Sequence, residues 1–126
     1  MRALRTHYTD EADFVQRVDE VQRPQGYRIV GAFDGDRCVA VAGFRVIRTL
    51  AWHDAIYVDD LSTLPEARGR GHGRALLEWC MEEGRRQGCS QFHLDSAVGP
   101  EREDAHRLYF NTRLRITAYH FVAPLE

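Results

Sequence analysis

The stretch Arg68-Gly69-Arg70-Gly71-His72-Gly73 decides the fold, because two strongly patterned segments flank it. Before it, residues 53–64 (HDAIYVDDLSTL) form a β-rich run that Pro65 stops. After it, a segment with helical periodicity ends at Gly88 and places four apolar residues on one face: Leu76, Leu77, Cys80 and Met81. The sequence therefore predicts a strand, a glycine-rich loop and a helix in succession.

Upstream of this unit, the sequence predicts one helix and one β-hairpin. The helix has Thr9 or Asp10 as its N-cap, with acidic residues in its first turn. The hairpin joins residues 27–33 to residues 38–47, and the Asp34-Gly35 step between them is a strong turn signal. The strand that precedes the glycine-rich loop is then expected to pair antiparallel with the second hairpin strand.

Downstream, the sequence predicts a short strand over residues 91–96, a helix over residues 103–112 and a final strand over residues 115–122. The strand-loop-helix-strand unit should be a right-handed crossover with parallel strands. The whole chain, residues 1–126, is expected to form one α/β domain around a mixed, mostly antiparallel sheet with flanking helices.

The bulk composition restricts the classes of function. The 126 residues carry a net charge of −2 with a pI of about 6.3, so no basic excess indicates nucleic acid or an anionic membrane as a partner. Three cysteines without a CxxC pair indicate free thiols, and the N-terminus has no apolar signal segment. No His and Cys spacing is typical of zinc. We therefore expect a soluble cytoplasmic protein without a metal.

The glycine-rich loop has the composition of an anion-binding site. Main-chain N–H groups at a helix N-terminus point at a bound anion, and glycines let the backbone approach it. Arg68, Arg70 and Arg74 add positive charge. The chain contains no lysine, which excludes the P-loop pattern GxxxxGK[ST], and the glycine spacing is a weak match to the dinucleotide pattern GxGxxG. The alternative is a surface loop that merely starts a helix.

Arg68, Gly71 and Gly73 form the pattern R-x-x-G-x-G, which in its place after a strand resembles the signature of the GNAT acetyltransferases. The resemblance implies a GNAT-like fold and acetyl-CoA as co-substrate. Its pyrophosphate would be held by Arg68, Gly69, Arg70, Gly71, His72, Gly73 and Arg74. The resemblance also implies that the preceding strand separates from its neighbour, so that main-chain N–H groups meet the thioester and pantetheine at Leu61, Ser62 and Thr63.

Residues 104–109 (DAHRLY) are similar to the last helix of the same family, which places Tyr109 near the cofactor sulfur. A phenol can protonate a departing thiolate, so Tyr109 is the candidate general acid. The alternative is a tyrosine that only packs in the core. The family often has a glycine and an aromatic residue after this helix, where this chain has Arg113 and Leu114.

Two acidic residues are candidates for the base that deprotonates the amine. In a regular strand, Asp59 shares a face with Tyr57, Leu61 and Thr63 and points to the site, whereas a β-bulge would put Asp60 there instead. A solvated acidic strand end is the alternative for both. His93 and Asp95, two residues apart on the next predicted strand, are further candidates for a proton relay.

The resemblance implies an N-acetyltransferase that moves an acetyl group from acetyl-CoA to a primary amine by direct attack. The acceptor is a small molecule or a peptide. A GNAT-like module that binds acetyl-CoA or CoA without catalysis is the alternative, and a structural dimer domain is a third class. Only residues 1–7 are left for the family's first strand, so this strand is either vestigial or replaced by a partner chain, as in a homodimer.

Overall fold

A computed structural model describes residues 10–125, which form two compact units, one ending at Leu94 and the other beginning at Asp95. The first unit contains α1 (Glu11–Arg17), β1 (Arg28–Asp34), β2 (Arg37–Thr49), β3 (His53–Thr63), α2 (His72–Arg86) and β4 (Gln91–Leu94). The second unit contains α3 (Glu103–Asn111). The organisation of residues 1–126 as a single domain stays a prediction.

The four strands form one mixed sheet in the order β1-β2-β3-β4. The pairs β1–β2 and β2–β3 are antiparallel, and Ala55–Val58 of β3 pairs in parallel with Gln91–Leu94 of β4. The hairpin turn is formed by Gly35 and Asp36, directly after Asp34 ends β1, and Gly35 has a φ of 62°. The structure thus confirms the predicted hairpin, the parallel β-loop-α-β unit and the α/β fold class.

Helix α2 packs on one face of this sheet and forms the core with it. The buried residues of this core are Ala40, Ala42, Phe44, Ile56, Val58, Leu76 and Cys80. Leu77 is also fully buried, whereas Met81 is only partly covered. Burial raises the pKa of the Cys80 thiol to about 11, so this cysteine behaves as a small apolar core residue.

The N-terminal helix begins as its sequence predicts. Asp10 is the N-cap of α1, and its side chain accepts a hydrogen bond of 2.8 Å from the main-chain N–H of Ala12. Thr9, the other candidate cap, lies outside the described residues. A π-helical turn (Val18–Gln22) and a 3-10 turn (Arg23–Gln25) follow, and Gly26, with a φ of 88°, ends the helical region.

The prediction of a final strand over residues 115–122 is wrong. Residues 114–125 contain neither helix nor strand, and apolar side chains there are exposed: Ile116, Tyr119, Phe121, Val122 and Leu125. The alternating pattern is a property of the segment alone, but a strand exists only when a neighbour pairs with its main-chain groups, and no described strand does so here. Strand β4 also ends at Leu94, two residues early. The predicted first strand lies outside the described residues.

A buried carboxylate ties α2 to β1. The Glu83 side chain is 1% exposed and accepts a 2.7 Å hydrogen bond from Arg28 of β1 and another from Arg86. The Arg28 guanidinium also lies 5.2 Å from the ring centroid of Phe44. Because a buried carboxylate is costly without cationic partners, Arg28 contributes to stability through both contacts.

We expect Arg28→Met to lower the free energy of unfolding by about 2 kcal/mol, because it leaves the Glu83 carboxylate buried with one guanidinium fewer. Arg85→Met is the matched control, since Arg85 pairs with Glu82 while both side chains are about two-thirds exposed. Its loss should stay within about 0.5 kcal/mol. Urea denaturation measures both variants, and equal losses would contradict the role given to Glu83.

Candidate active site

The glycine-rich loop enters α2 through two residues with left-handed backbone. Gly69 has a φ of 77° and Gly71 a φ of 84°, and nothing lies within 4 Å of a Cβ built on either residue. The requirement for glycine here is therefore one of backbone conformation and not of space. Gly71 is the N-cap of α2 and provides no side-chain cap.

The first turn of α2 presents main-chain donors that the helix itself does not use. The first intrahelical bond runs from the Ala75 N–H to the Gly71 carbonyl, at 3.0 Å. The N–H groups of His72, Gly73 and Arg74 precede it, so they point out of the helix N-terminus. Unused N–H groups and the helix dipole both favour an anion at this end of the helix.

The three arginines of this region differ in their surroundings. Arg68 and Arg70 are exposed and form no ion pair within residues 10–125. Arg74 binds Glu78, with Nε and Oε1 2.9 Å apart, so part of its charge is neutralised within the helix. Arg68 and Arg70 are therefore the side chains best placed to add charge for a bound anion.

Strand β3 has an open edge beyond its pairing with β4. The parallel ladder ends at Val58 and Leu94, so residues 59–63 pair with β2 alone among the described strands. The Leu64 N–H donates to Val39 of β2 at 2.8 Å. Because successive N–H groups in a strand point to opposite sides, those of Leu61 and Thr63 point to the open edge.

The same alternation directs the Ser62 N–H towards β2, where Ser62 is paired with Val41. Of the three residues that the resemblance assigns to pantetheine, two thus have a donor on the open edge and Ser62 does not. The side chain of Leu61 packs against the core, so its main chain and side chain face different parts of the molecule.

A β-bulge interrupts β3 at the two candidate bases. Gly43 of β2 pairs with Asp60, but the next residue of β2, Phe44, pairs with Val58, so Asp59 is the extra residue. The bulge changes the alternation of faces. Leu61 therefore lies on the α2 side, and Asp60 lies with Gly43 on the opposite face of the sheet. The regular strand that would group Asp59 with Leu61 and Thr63 is not formed.

Asp59 is held by an arginine of the neighbouring strand. Arg45 donates two hydrogen bonds to its carboxylate, of 2.8 Å from Nε and 3.1 Å from Nη2. The guanidinium also lies 5.2 Å from the ring centroid of Tyr57. Hydrogen bonding to Asp59 raises the pKa of Arg45 above its ordinary value, against an opposing effect of burial. Asp59 is therefore half of a bidentate ion pair.

Asp60 makes a hydrogen bond with a tyrosine that precedes β1. The Tyr27 hydroxyl donates a 2.7 Å hydrogen bond to its Oδ2 atom. Sequence reasoning missed both Tyr27 and Arg45, because nothing in the local pattern around either residue indicates its distant carboxylate. The bulge and the direct pairing of Gly43 with Asp60 bring these residues together.

His93 and Asp95 have other contacts that the sequence did not indicate. The His93 ring stacks on Trp52, with centroids 3.7 Å apart, and its Nε2 lies 2.7 Å from the side-chain oxygen of Gln91. Asp95 belongs to the second unit, where His120 Nδ1 lies 3.3 Å from its carboxylate. A proton relay through His93 and Asp95 stays a prediction.

Tyr109 lies in α3 of the second unit and is 9% exposed. Burial raises the pKa of its phenol above the ordinary value of 10.0, while Arg102 and a hydrogen bond with Ser96 oppose this rise. A raised pKa keeps the phenol protonated at neutral pH, as a general acid requires.

Within residues 10–125, no cluster of three His, Cys, Asp or Glu side chains could hold a metal ion. No described helix is long and apolar enough to span a membrane.

A glycine-rich helix N-terminus beside an open, bulged strand edge is the geometry that the loop signature implies. The family profile described as the acetyltransferase (GNAT) family matches residues 1–111 of the chain. The chain belongs to this family. As a GNAT protein it is an enzyme of the acyltransferase class.

Individual proteins agree with this assignment. Over 126 residues the chain is 26% identical to YhdJ, an uncharacterised N-acetyltransferase of Bacillus subtilis. The match covers 99% of this chain and 87% of YhdJ. Over 68 residues it is 32% identical to an aminoalkylphosphonate N-acetyltransferase of Salmonella typhimurium. This match covers 54% of this chain and 43% of that protein. Among solved structures, AAC(6')-Iy in complex with a CoA bisubstrate analogue is 13% identical, with a TM-score of 0.76 over 93% of this chain and 81% of that one. This last similarity shows the shared fold.

The conformation of the loop predicts opposite effects of one substitution at two nearby glycines. We expect Gly71→Ala to lower the free energy of unfolding by about 1 kcal/mol, because its φ of 84° is unfavourable for alanine. Gly73→Ala is the matched control, since Gly73 lies in the first turn of α2 outside the left-handed region, and it should stabilise by about 0.5 kcal/mol. Urea denaturation without cofactor measures both, and changes of the same sign would contradict this description of the loop.

Proposed function

We propose that this GNAT enzyme transfers an acetyl group from acetyl-CoA to a primary amine by direct attack. The observation that carries the proposal is the pairing of an uncapped α2 N-terminus with the open edge of β3, which follow each other in the chain. One offers donors to an anion, and the other offers donors to an extended chain of amides. Acetyl-CoA carries both a pyrophosphate and an amide-containing pantetheine arm.

The residues proposed to hold the pyrophosphate are those of the loop and the first turn of α2. Main-chain N–H groups supply the hydrogen bonds, and Arg68 and Arg70 supply charge. The N–H groups of Leu61 and Thr63 would bind the arm and the thioester oxygen, where a hydrogen bond stabilises the negative charge that develops during attack. The complex of AAC(6')-Iy with its CoA analogue supports this choice of co-substrate.

Asp60 is the proposed base, in preference to Asp59. An amine must lose a proton before or during attack on the thioester, and a carboxylate near the acceptor can take it. The charge of Asp59 is neutralised by the bidentate contact with Arg45, and the Tyr27 hydroxyl donates a hydrogen bond to Asp60. The β-bulge at Asp59 also favours Asp60, because it changes the alternation of faces along β3.

Tyr109 is the proposed acid that protonates the CoA thiolate as it leaves. This role rests on the similarity of residues 104–109 to the family's last helix and on the raised pKa of the phenol. With its proton retained through neutral pH, Tyr109 can donate to a thiolate without a separate source of acid.

The acceptor is proposed to be a primary amine on a small molecule or peptide. The Salmonella typhimurium relative, which is named for an aminoalkylphosphonate, supports an amine of this kind. The three free thiols suit a cytoplasmic location. A module that binds acetyl-CoA without turnover is the second candidate, and it is favoured only if binding occurs and transfer does not. Completion of the sheet edge by a homodimer partner stays a prediction.

The proposal is tested by a thermal shift and a turnover assay on the same protein. Acetyl-CoA at a hundred times its Kd should stabilise the fold by about 2.7 kcal/mol, and CoA should do so as well. An amine panel with thiol release as the readout should then find an acceptor. The double variant Arg68→Gln/Arg70→Gln should weaken binding, and Arg85→Gln, at the other end of α2, should not. If acetyl-CoA does not shift the thermal midpoint of the folded protein, the assignment of acetyl-CoA as co-substrate is refuted. A thermal shift without turnover would favour the non-catalytic module.

Tyr109→Phe should lower kcat on the best amine by about a hundredfold and leave acetyl-CoA affinity unchanged, because only the proton donor is lost. The pKa of Tyr109 lies above 10, so the wild-type enzyme should lose this donor only as the pH rises beyond that value. The defect of the variant should therefore be constant between about pH 7 and pH 9. Stopped-flow or steady-state thiol release measures it, and a wild-type kcat would return Tyr109 to a packing role.

A further inference from the structure

The Tyr27 side chain lies in a space that Gly43 leaves open. A Cβ built on Gly43 would be 1.6 Å from the Tyr27 hydroxyl oxygen and 2.3 Å from the ring carbon that carries it. No side chain larger than hydrogen is therefore compatible with this ring position. Tyr27 is 7% exposed, so the phenol is enclosed.

Gly43 is also the direct cross-strand partner of Asp60. Because the Tyr27 ring lies over Gly43, its hydroxyl is close to the carboxylate of Asp60 on the neighbouring strand. The Tyr27 hydroxyl makes a 2.7 Å hydrogen bond to Asp60 Oδ2, at the first residue beyond the bulge. The contact links residues 33 positions apart in the chain.

The main chain on both sides of Tyr27 is anchored. Its N–H donates to the Gln22 carbonyl at 3.2 Å, directly after Gly26 has ended the helical region. Its other neighbour, Arg28, begins β1 and is paired with Phe44 of β2. The ring is thus a rigid donor, because neither end of its backbone is in a free loop.

We infer that Tyr27 is a positioning residue for Asp60, an inference that rests on the proposed function. The phenol fixes the rotamer of the carboxylate at the bulge, so the carboxylate is oriented for the incoming amine. A tyrosine that only fills the space over Gly43 would need its ring and not its hydroxyl. The two roles are therefore separable by removing one atom.

Kinetics of Tyr27→Phe, Asp60→Asn and the double variant test the inference, with Tyr119→Phe, at an exposed phenol, as the matched control. We expect Tyr27→Phe to lower kcat by about tenfold, the size of one hydrogen bond to a charged group, while the KM for acetyl-CoA stays unchanged. Asp60→Asn should lower kcat more, and adding Tyr27→Phe to it should cause no further loss. Tyr119→Phe should behave as wild type.

Three results would overturn the inference. One is a wild-type kcat in Tyr27→Phe, the second is a loss that multiplies with that of Asp60→Asn, and the third is full activity of Asp60→Asn. Thermal midpoints of all four variants identify losses that come only from instability. If the wild-type enzyme acetylates no amine, the proposed function and the positioning role fail together. If the wild type and Asp60→Asn behave as expected and Tyr27→Phe does not, only the role of Tyr27 fails.

Discussion

The single extra residue in β3 is the constraint on which the strand side of the site depends. With Asp59 inserted opposite β2, the core-facing side chains before and after it, Val58 and Leu61, both remain on the α2 side. Without the bulge, one of the two would turn away from the core, because side chains alternate strictly in a regular strand. The bulge therefore satisfies the core and at the same time directs Asp60 to the other face.

The glycine-rich loop obeys a different constraint. Two residues in the left-handed region bring the chain into α2 with its first N–H groups unused. Unused donors are unfavourable in a buried position but cost little where water or an anion meets them. The stability of α2 comes instead from its buried face, which includes Leu76, Leu77 and Cys80. Packing thus uses the buried face of α2, whereas the donors proposed to bind an anion lie at its N-terminus.

Local signals in the sequence were enough for the hairpin at Asp34-Gly35, the α2 boundaries and the loop, because turn chemistry and helical periodicity act over a few residues. Contacts across strands were not predictable in this way. The bond between Tyr27 and Asp60 and the pair between Arg45 and Asp59 depend on the register of β2 with β3, which no local pattern states. The prediction of a final strand was wrong for a related reason. An alternating pattern of apolar residues does not show whether a neighbouring strand is present to pair with.

The open edge of β3 offers donors that belong to the main chain, and a main-chain donor is the same whichever amino acid carries it. The Leu61 side chain can therefore pack against the apolar core while its main-chain N–H faces the open edge. The choice of side chain for the core does not alter the donor at the edge. Substitutions accepted in the core over evolutionary time leave such an edge chemically unaltered.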